Sequence, residues 1–461
     1  MKKVLVTVAA LGLVFGVAAN ALALDKPGRA SETESVTAPV VAKATAPGVA
    51  LWSVSGQWVL AGAYLSDGMG APGEVDVNGE YDTNDAFYIY SFKILPTLQI
   101  NDKVAVKGEL RFADRNVWGF NDVSKPGGRY IDTYQLYLEY ESPIGKTRFG
   151  RAGAGAWGNK FINSTYNADR IMLWTNFMPE NWGMLLFTQK YGVSDEDAAN
   201  PGVADQDKDA YYIDVSYKAS FGKTIAAIWA VHNSTTDADD PVNGPYTSTD
   251  LWLNGNYVFG DVKVDWEMAF GFGDASSTES QGGVALYADL STKVEDWTFG
   301  GLVIYGSGDT NTSDTDQDSG LLNSNGTGRD YNPFQIMMGD YMGMLNGDNP
   351  LNGGGINGQM VRGGGNTGVR AIGLYTGLAM SPKMSLSGEL GYFLADSTEN
   401  NIDDHYGTEF GVGLAYKLYD NLTYNAHFSY LWTGDFFAGD KGSPDPTNDV
   451  YLVAHALSMT F

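Results

Sequence analysis

The sequence predicts an all-β protein: a transmembrane, antiparallel, up-and-down β-barrel of about 18 strands, with 16 as the alternative. Three observations lead to this fold class. Segments of about ten residues alternate between apolar and polar side chains. The connections between them alternate between short turns and long polar loops. The apolar run at 4–19 is too short for a membrane-spanning helix, and the sequence has no longer apolar run.

The first residues have the features of an export signal. Lys2 and Lys3 precede an apolar run that ends at Ala19, and Ala21-Leu22-Ala23 is a small-x-small cleavage site. We therefore predict a signal peptide at 1–23. Residues 24–50, rich in Ala, Pro, Thr and Ser, are predicted to form a flexible periplasmic leader. The barrel is predicted to occupy 51–461.

The alternation is clearest in the segment 103–113, where apolar Val104 and Val106 interleave with fully charged Lys107 and Glu109. A strand places successive side chains on opposite faces, so this pattern indicates a strand between two different solvents. The same pattern predicts strands at 51–65, 86–98, 103–113, 130–141, 146–153, 170–176, 181–191, 210–218, 224–232, 248–259, 262–273, 283–292, 296–307, 369–380, 383–395, 406–418, 422–432 and 449–461.

The connections divide into two sets. Tight ones, such as Asn101-Asp102-Lys103 and Gly260-Asp261, have turn chemistry, and we assign them to the periplasmic side. The others are long and polar, which is typical of the external loops of membrane barrels. Aromatic side chains recur near the strand ends and indicate interfacial girdles: Tyr64, Trp266, Trp297, Tyr305, Tyr416, Tyr430 and Trp432.

The last segment, 449–461, is predicted to be the closing strand, paired with 51–65. Val453, Leu457 and Phe461 share its lipid-facing side. His455 falls on that same side. We expect it to lie in a subunit interface or against a neighbouring aromatic ring rather than in lipid.

Composition excludes several classes of function. The chain has no Cys and four His, which rules out thiolate metal sites, covalent haem attachment and a multihaem carrier. The formal net charge of -26 argues against nucleic acid as a partner.

The chain resembles bacterial outer-membrane porins, and its later segments are similar to porins of sulfate- and iron-reducing bacteria. The matching residues are the loop from Asn332-Pro333-Phe334 to Gly347-Asp348, the run Asp-Asn-Leu-Thr-Tyr at 420–424, and the terminal Phe461. The resemblance implies a Gram-negative outer membrane, contact with lipid and lipopolysaccharide, a homotrimer, and recognition of the C-terminal strand by the barrel-assembly machinery. The Pro-Glu-Phe-Gly-Gly motif of general enterobacterial porins is absent, so their constriction residues are not transferred.

If the apolar faces meet lipid, the charged faces line an aqueous lumen, because unpaired charges are costly on the lipid side. Arg148 and Arg151 cannot both point inward in a regular strand, so a bulge or strand end near Gly150 is expected. The residues predicted to line the pore are Lys107, Glu109, Arg111, Glu139, Arg148, Lys263, Asp265, Glu267, Glu389 and Glu409.

The longest connection, 308–368, contains an apolar stretch, 333–345, whose composition favours burial. We predict that it folds into the lumen, or over a neighbouring subunit, and narrows the pore; the alternative is a packed external cap. The predicted constriction residues are Phe334, Met337, Met338, Asp340, Tyr341 and Met342.

No cofactor is predicted, and the chain is not predicted to be an enzyme, because its His residues lie in separate segments without a nucleophile motif. The acidic triplets Asp314-Asp316-Asp318 and Asp205-Asp207-Asp209 are interpreted as solvated loops with weak divalent-cation binding at most.

The predicted function is passive diffusion of ions and small hydrophilic solutes, with a preference for cations because of the acidic charge. The alternatives are a substrate-specific channel for sugars or organic acids, and a barrel that sheathes an electron-transfer partner. An aromatic ladder along the lumen would favour the substrate-specific channel.

Overall fold

The computed structural model describes residues 51–66, 84–117, 131–154, 167–175, 178–192, 208–233, 245–274, 276, 280–308, 316–317, 334–337, 367–398, 403–438 and 449–461. The predicted signal peptide at 1–23 and the predicted leader at 24–50 lie outside these ranges. Of the connection 308–368, only residues 308, 316–317, 334–337 and 367–368 are described.

Eighteen strands form one antiparallel sheet. They are β1 Leu51–Ser66, β2 Asn84–Asn101, β3 Val104–Val117, β4 Asp132–Ser142, β5 Gly145–Gly153, β6 Asn167–Thr175, β7 Trp182–Gly192, β8 Lys208–Ala219, β9 Gly222–Asn233, β10 Tyr246–Phe259, β11 Val262–Gly273, β12 Val284–Val294, β13 Trp297–Gly306, β14 Val369–Ser381, β15 Met384–Leu394, β16 His405–Tyr419, β17 Leu422–Thr433 and β18 Val450–Thr460.

Each strand pairs with its neighbours in the chain, and β18 pairs with β1 from Gln57↔Thr460 to Leu65↔Leu452. This last pairing closes the sheet into a barrel, so no edge strand is left open. The predicted fold class and strand number are confirmed. A short 3-10 helix, Asp435–Ala438, follows β17, and nowhere in the described ranges is a helix long and apolar enough to cross a membrane.

The two faces of the barrel differ in exposure, as the alternation predicts. In β1, Ala61 and Ala63 are buried whereas Trp52 and Val54 are exposed. The inner wall of a barrel is concave and crowds its side chains together, so the buried set faces inward and the exposed apolar set faces outward. In β18, Leu452, Ala454 and Ala456 belong to the inward set.

Short turns join the strands at one end of the barrel. Asn101 begins the turn to β3, and its Oδ1 accepts the backbone N–H groups of Lys103 (2.9 Å) and Val104 (3.1 Å). The turn after β10 places Gly260 at φ 65°, a left-handed conformation that glycine adopts without a steric cost. These are turns that the sequence predicts.

The chain end is part of the wall. Phe461 exchanges backbone hydrogen bonds with Gly56, at 2.8 and 3.1 Å, and its ring stacks on Phe92 with centroids 6.2 Å apart. His455 lies on the outward face; its Nε2 is 3.3 Å from the Tyr88 hydroxyl, and its ring is 5.9 Å from that of Tyr424. Of the two environments predicted for His455, the structure shows the contact with neighbouring aromatic rings.

The pairing of β4 with β3 is irregular at Tyr134, and the Arg111 guanidinium lies 3.3 Å from the centre of the Tyr134 ring. One local prediction is wrong: neither a bulge nor a strand end forms near Gly150, because β5 pairs without interruption with both neighbours. Arg148 therefore points inward and Arg151 outward.

Gly56 gives a test of barrel closure. A Cβ at this position would lie 2.3 Å from the Phe461 ring and 2.8 Å from the Lys93 carbonyl oxygen. We expect Gly56→Ala to destabilise the closed barrel by about 1–3 kcal/mol, as overpacking usually does. The measurement is the temperature at which the protein loses its heat-modifiable migration on gels.

Gly388→Ala is the matched control, because a Cβ there meets only Thr376 at 3.5 Å and Gly411 at 3.9 Å. Equal transition temperatures for the two variants would contradict the role assigned to Phe461.

Candidate functional site

The structure places all ten residues predicted to line a pore on the inward face. They form two groups on the wall, one on β3–β5 and one on β11–β16. Glu267 and Glu409 are fully covered, so these two carboxylates contact neighbouring protein groups rather than solvent. That the other residues line a water-filled pore stays a prediction.

A four-residue segment of the long connection, residues 334–337, lies against the inner wall. Phe334 is fully buried, and its ring packs edge-on against Phe393 with centroids 5.0 Å apart. The ring fits over two wall glycines: a Cβ would lie 2.4 Å from it at Gly373 and 2.7 Å from it at Gly391. Because these two glycines have no side chains, β14 and β15 form a recess that the Phe334 ring fills.

The segment 334–337 is also bound through its backbone. The N–H of Ile336 donates to Glu409 Oε1 at 3.0 Å, and the N–H of Met337 donates to Oε2 at 2.8 Å. Glu409 is the fifth residue of β16, and its side chain is fully buried. Because these contacts are with inward residues, the segment lies inside the barrel. Met338, Asp340, Tyr341 and Met342 lie outside the described residues.

Behind Glu409, the inner wall carries a second acid and a histidine. His427 Nε2 lies 3.1 Å from Glu389 Oε1 and 2.9 Å from the Ser429 hydroxyl. Both contacts use the same ring nitrogen, and the contact with Glu389 links strands β15 and β17 on the inner wall.

The wall of β3–β5 carries a network of paired charges. Glu139 accepts hydrogen bonds from Lys107 Nζ (2.7 Å) and Arg148 Nε (2.8 Å). The Arg148 guanidinium lies 4.8 Å from the centre of the Trp174 ring. These contacts hold the long cationic side chains against the wall.

Further basic residues extend this network. Arg111 Nε bonds Glu109 at 2.8 Å. On β6, Arg170 is almost fully buried and donates to Gln189 (2.8 Å) and to the Ala152 carbonyl oxygen (2.8 Å). Sequence reasoning missed Arg170, although the alternation of Met172 and Trp174 with Ile171 and Leu173 could have placed it inward. We call the inward side chains Lys107, Arg111, Arg148 and Arg170 the basic sector.

Across the barrel, the wall of β10–β12 is acidic. Asp289 accepts the hydroxyls of Tyr287 and Tyr375, each at 2.7 Å. Asp265 binds Lys263 at 2.9 Å and the Asn256 amide at 2.9 Å. With Asp250 and Glu267, both inward and buried, these carboxylates form the acidic sector. In the described ranges, no three such groups come close enough to hold a metal ion.

Four aromatic rings cover the inner wall of β7–β10. Phe187 and Tyr212 stack at 4.5 Å, and Trp229 and Trp252 stack at 5.8 Å. All four side chains are buried, at 8% exposure or less. They form a packed cluster, whereas a solvent-facing aromatic ladder would have favoured a substrate-specific channel.

At the loop ends of β14–β16, Arg370 joins two segments. Its Nη2 donates to Asp404 Oδ2 at 2.7 Å and to the Ala395 carbonyl oxygen at 2.6 Å. Just before β16, the carboxylate of Asp403 accepts the backbone N–H groups of His405 and Asp404, which lowers the pKa of Asp403. This carboxylate therefore stays charged at the mouth of the barrel at neutral pH.

No family model and no curated sequence matches the chain. Solved structures do. OccAB4 of Acinetobacter baumannii has a TM-score of 0.50 at 10% identity, covering 89% of this chain and 98% of the other. OpdK, an outer membrane protein of Pseudomonas aeruginosa, has a TM-score of 0.49 at 10% identity, covering 89% and 98%. The outer membrane channel DcaP of A. baumannii has a TM-score of 0.44 at 11% identity, covering 91% and 99%.

At these identities the likeness to OccAB4 concerns the fold alone. The chain thus shares the fold of OccAB4. The similarity to porins of sulfate- and iron-reducing bacteria stays a prediction.

Glu409 is the residue with which to test the inward segment. Glu409→Ala removes both acceptors of the Ile336 and Met337 N–H groups, and an intramolecular hydrogen bond contributes about 0.5–1.5 kcal/mol. We expect segment 334–337 to leave the wall, which changes the single-channel conductance in a planar bilayer. Phe334→Ala, which empties the recess, should change it in the same direction.

Phe410→Leu is the control, since Phe410 is the next residue of β16 and faces outward. A Glu409→Ala channel that conducts like the Phe410→Leu channel would contradict the anchoring role of Glu409.

Proposed function

We propose that this protein is an outer-membrane porin through which ions and small hydrophilic solutes diffuse passively. The observation that carries the proposal is the segment 334–337 bound to the inner wall of a closed 18-stranded barrel. A barrel of 16–18 strands is too wide for its own side chains to fill, so water occupies the remaining space. A chain segment fixed inside such a barrel narrows the path without closing it.

We further propose that cations pass more readily than anions. The formal net charge is -26, and the acidic sector supplies buried, oriented carboxylates on one wall. A lumen of one charge concentrates the opposite ions. The basic sector opposes this preference, although Glu139 and Glu109 partly neutralise it.

The proposed location is the outer membrane of a Gram-negative bacterium, with lipid and lipopolysaccharide around the barrel. The resemblance to porins suggests a homotrimer and recognition of β18 and Phe461 by the barrel-assembly machinery. The exposed apolar side chains of the outward face support the lipid contact.

The zero-current potential across a salt gradient tests the preference. We expect the sign for cations, and we expect Asp265→Asn with Asp289→Asn to reduce the cation-to-anion permeability ratio, because two inward negative charges are lost. Lys107→Gln with Arg148→Gln should raise the ratio for the opposite reason.

The two double variants change the net charge by two units in opposite directions, so each serves as the control for the other. Anion preference of the unmodified channel would refute the cation proposal. Absence of any conductance would instead favour the alternative of a barrel that sheathes an electron-transfer partner.

A second candidate is a channel specific for small organic acids, which the basic sector favours. Lys107, Arg148 and Arg170 place cationic groups on β3, β5 and β6, and Arg binds carboxylates through paired N–H groups. We expect a dicarboxylate such as succinate to block ion current saturably if this candidate is right, and Arg148→Gln to weaken the block. Linear dependence of current on succinate concentration would leave general diffusion as the function.

A further inference from the structure

The side chain of Asn254 is fully buried on the inward face of β10. Among the described residues, neither its Oδ1 nor its Nδ2 has a hydrogen-bond partner. An amide buried in this way costs free energy, because it gives up its hydrogen bonds to water without replacing them. Such groups are rare in folded proteins, and a bound ion or water often explains them. A bound ligand beside Asn254 accounts for this burial.

The neighbours of Asn254 show which side of the amide is polar. Its cross-strand partner on β9 is Ile225, whose side chain forms no hydrogen bonds. Its cross-strand partner on β11 is Glu267, which is fully buried. The next inward residue of β10, Asn256, donates to Asp265 Oδ1 at 2.9 Å. Directly opposed side chains in an antiparallel pair have Cβ atoms about 4.5–5.5 Å apart, so the carboxyl group of Glu267 is the polar group nearest in register to the amide.

The surroundings of Glu267 are acidic. Asp265 lies two residues before it on the same face of β11, diagonally across from Asn254, and is itself directly opposite Asp289 on β12. Like charges that face each other across a strand pair are destabilising, so this part of the acidic sector favours a cation. The groups around Asn254 present oxygen atoms, two carboxylates and an amide carbonyl, and such ligands select hard cations such as Ca²⁺.

The tight packing around Asn254 favours a metal ion over a water molecule. Because the amide is fully buried, no space large enough for a water molecule touches it. Water bound to an oxygen atom lies about 2.7–2.8 Å away, whereas Ca²⁺ lies about 2.3–2.6 Å from its oxygen ligands. An ion without its water shell therefore fits between side chains that stand too close together for water.

We propose that Asn254 Oδ1 and the Glu267 carboxylate, with Asp265 beside them, bind a divalent cation such as Ca²⁺ on the inner wall. The cation links β10 to β11 and offsets part of the negative charge of the acidic sector. The site has two carboxylates rather than three, and Ca²⁺ affinity falls with the number of charged ligands. The expected dissociation constant is therefore about 10⁻⁴–10⁻³ M. The proposal does not rest on conductance or ion selectivity.

Equilibrium dialysis with radioactive Ca²⁺ tests the site. The full chain is folded in detergent without lipopolysaccharide, whose phosphate groups also bind divalent cations. We expect saturable binding by the unmodified protein, and we expect Asn254→Leu and Glu267→Gln each to weaken it by about tenfold or more, because each removes a ligand. Asn254→Asp adds a third carboxylate at the same place and should strengthen binding by about tenfold.

Asp250→Asn is the matched control. It removes one negative charge from the acidic sector, but Asp250 lies four residues from Asn254 along β10, which is about 13 Å, so binding should not change. Heat-modifiable migration verifies that each variant folds, and if Asn254→Leu does not fold, Asn254→Asp decides. Three results overturn the proposal: no saturable binding by the unmodified protein, equal weakening by Asp250→Asn and Asn254→Leu, or unchanged binding in the folded Asn254 variants.

A second measurement distinguishes a cation site from a buried amide that has no ligand. Bound Ca²⁺ stabilises the folded state, so the temperature at which heat-modifiable migration is lost should be higher in Ca²⁺ than in a chelator for the unmodified protein, but not for Asn254→Leu. Equal temperatures in Ca²⁺ and chelator for the unmodified protein would overturn the proposal. Normal bilayer conductance of the same samples would then leave the proposed channel function intact.

Discussion

Hydrogen bonding around a closed ring is the constraint on which the rest of this structure depends. A strand that meets lipid on one face has no water there to satisfy an open edge, so β18 must pair with β1. Because the sheet is closed, every strand side chain points either into the barrel or away from it. The carboxylates of the acidic sector are buried because they point inward, and the exposed Leu and Ile side chains point outward. Gly56, which lets the terminal Phe461 ring lie over the seam, shows how closely the last residue is fitted to the first strand.

The inner wall holds segment 334–337 in two ways: through a recess left by two glycines and through the carboxyl group of Glu409. Gly373 and Gly391 leave the recess for Phe334, and Glu409 supplies two acceptors beside it. The apolar contact of Phe334 and the hydrogen bonds to Glu409 thus hold the same short segment, and together they restrict its movement more than either would alone. This dual attachment explains how part of a long external connection can remain at a defined position inside a wide barrel.

The sequence alone predicted the strands, their faces and the tight turns, because period-two alternation and turn residues are local signals. It also predicted that Phe334 and Met337 are buried, since their composition favours it. It did not decide between the inner wall and an external cap, because the recess at Gly373 and Gly391 is formed by strands that are adjacent only in the folded sheet. Arg170 and Asp250 were missed because each lies near the start of its segment, before the alternation is established. The alternation of the residues that follow Arg170 could have shown its inward direction, but the wall that each charge shares with other charges is formed only by the folded sheet.

Arg151 is an exception to the rule that charged side chains face inward. Charges were assigned inward on the premise that lipid surrounds the whole barrel, and that premise holds for β9, β13, β15 and β17. In β5 the regular alternation overrides it, because Arg148 already points inward to Glu139 and a side chain three residues later must point outward. The strand geometry therefore decides the direction of Arg151, and the cross-strand partner Asp169 lies beside it on the same outward face.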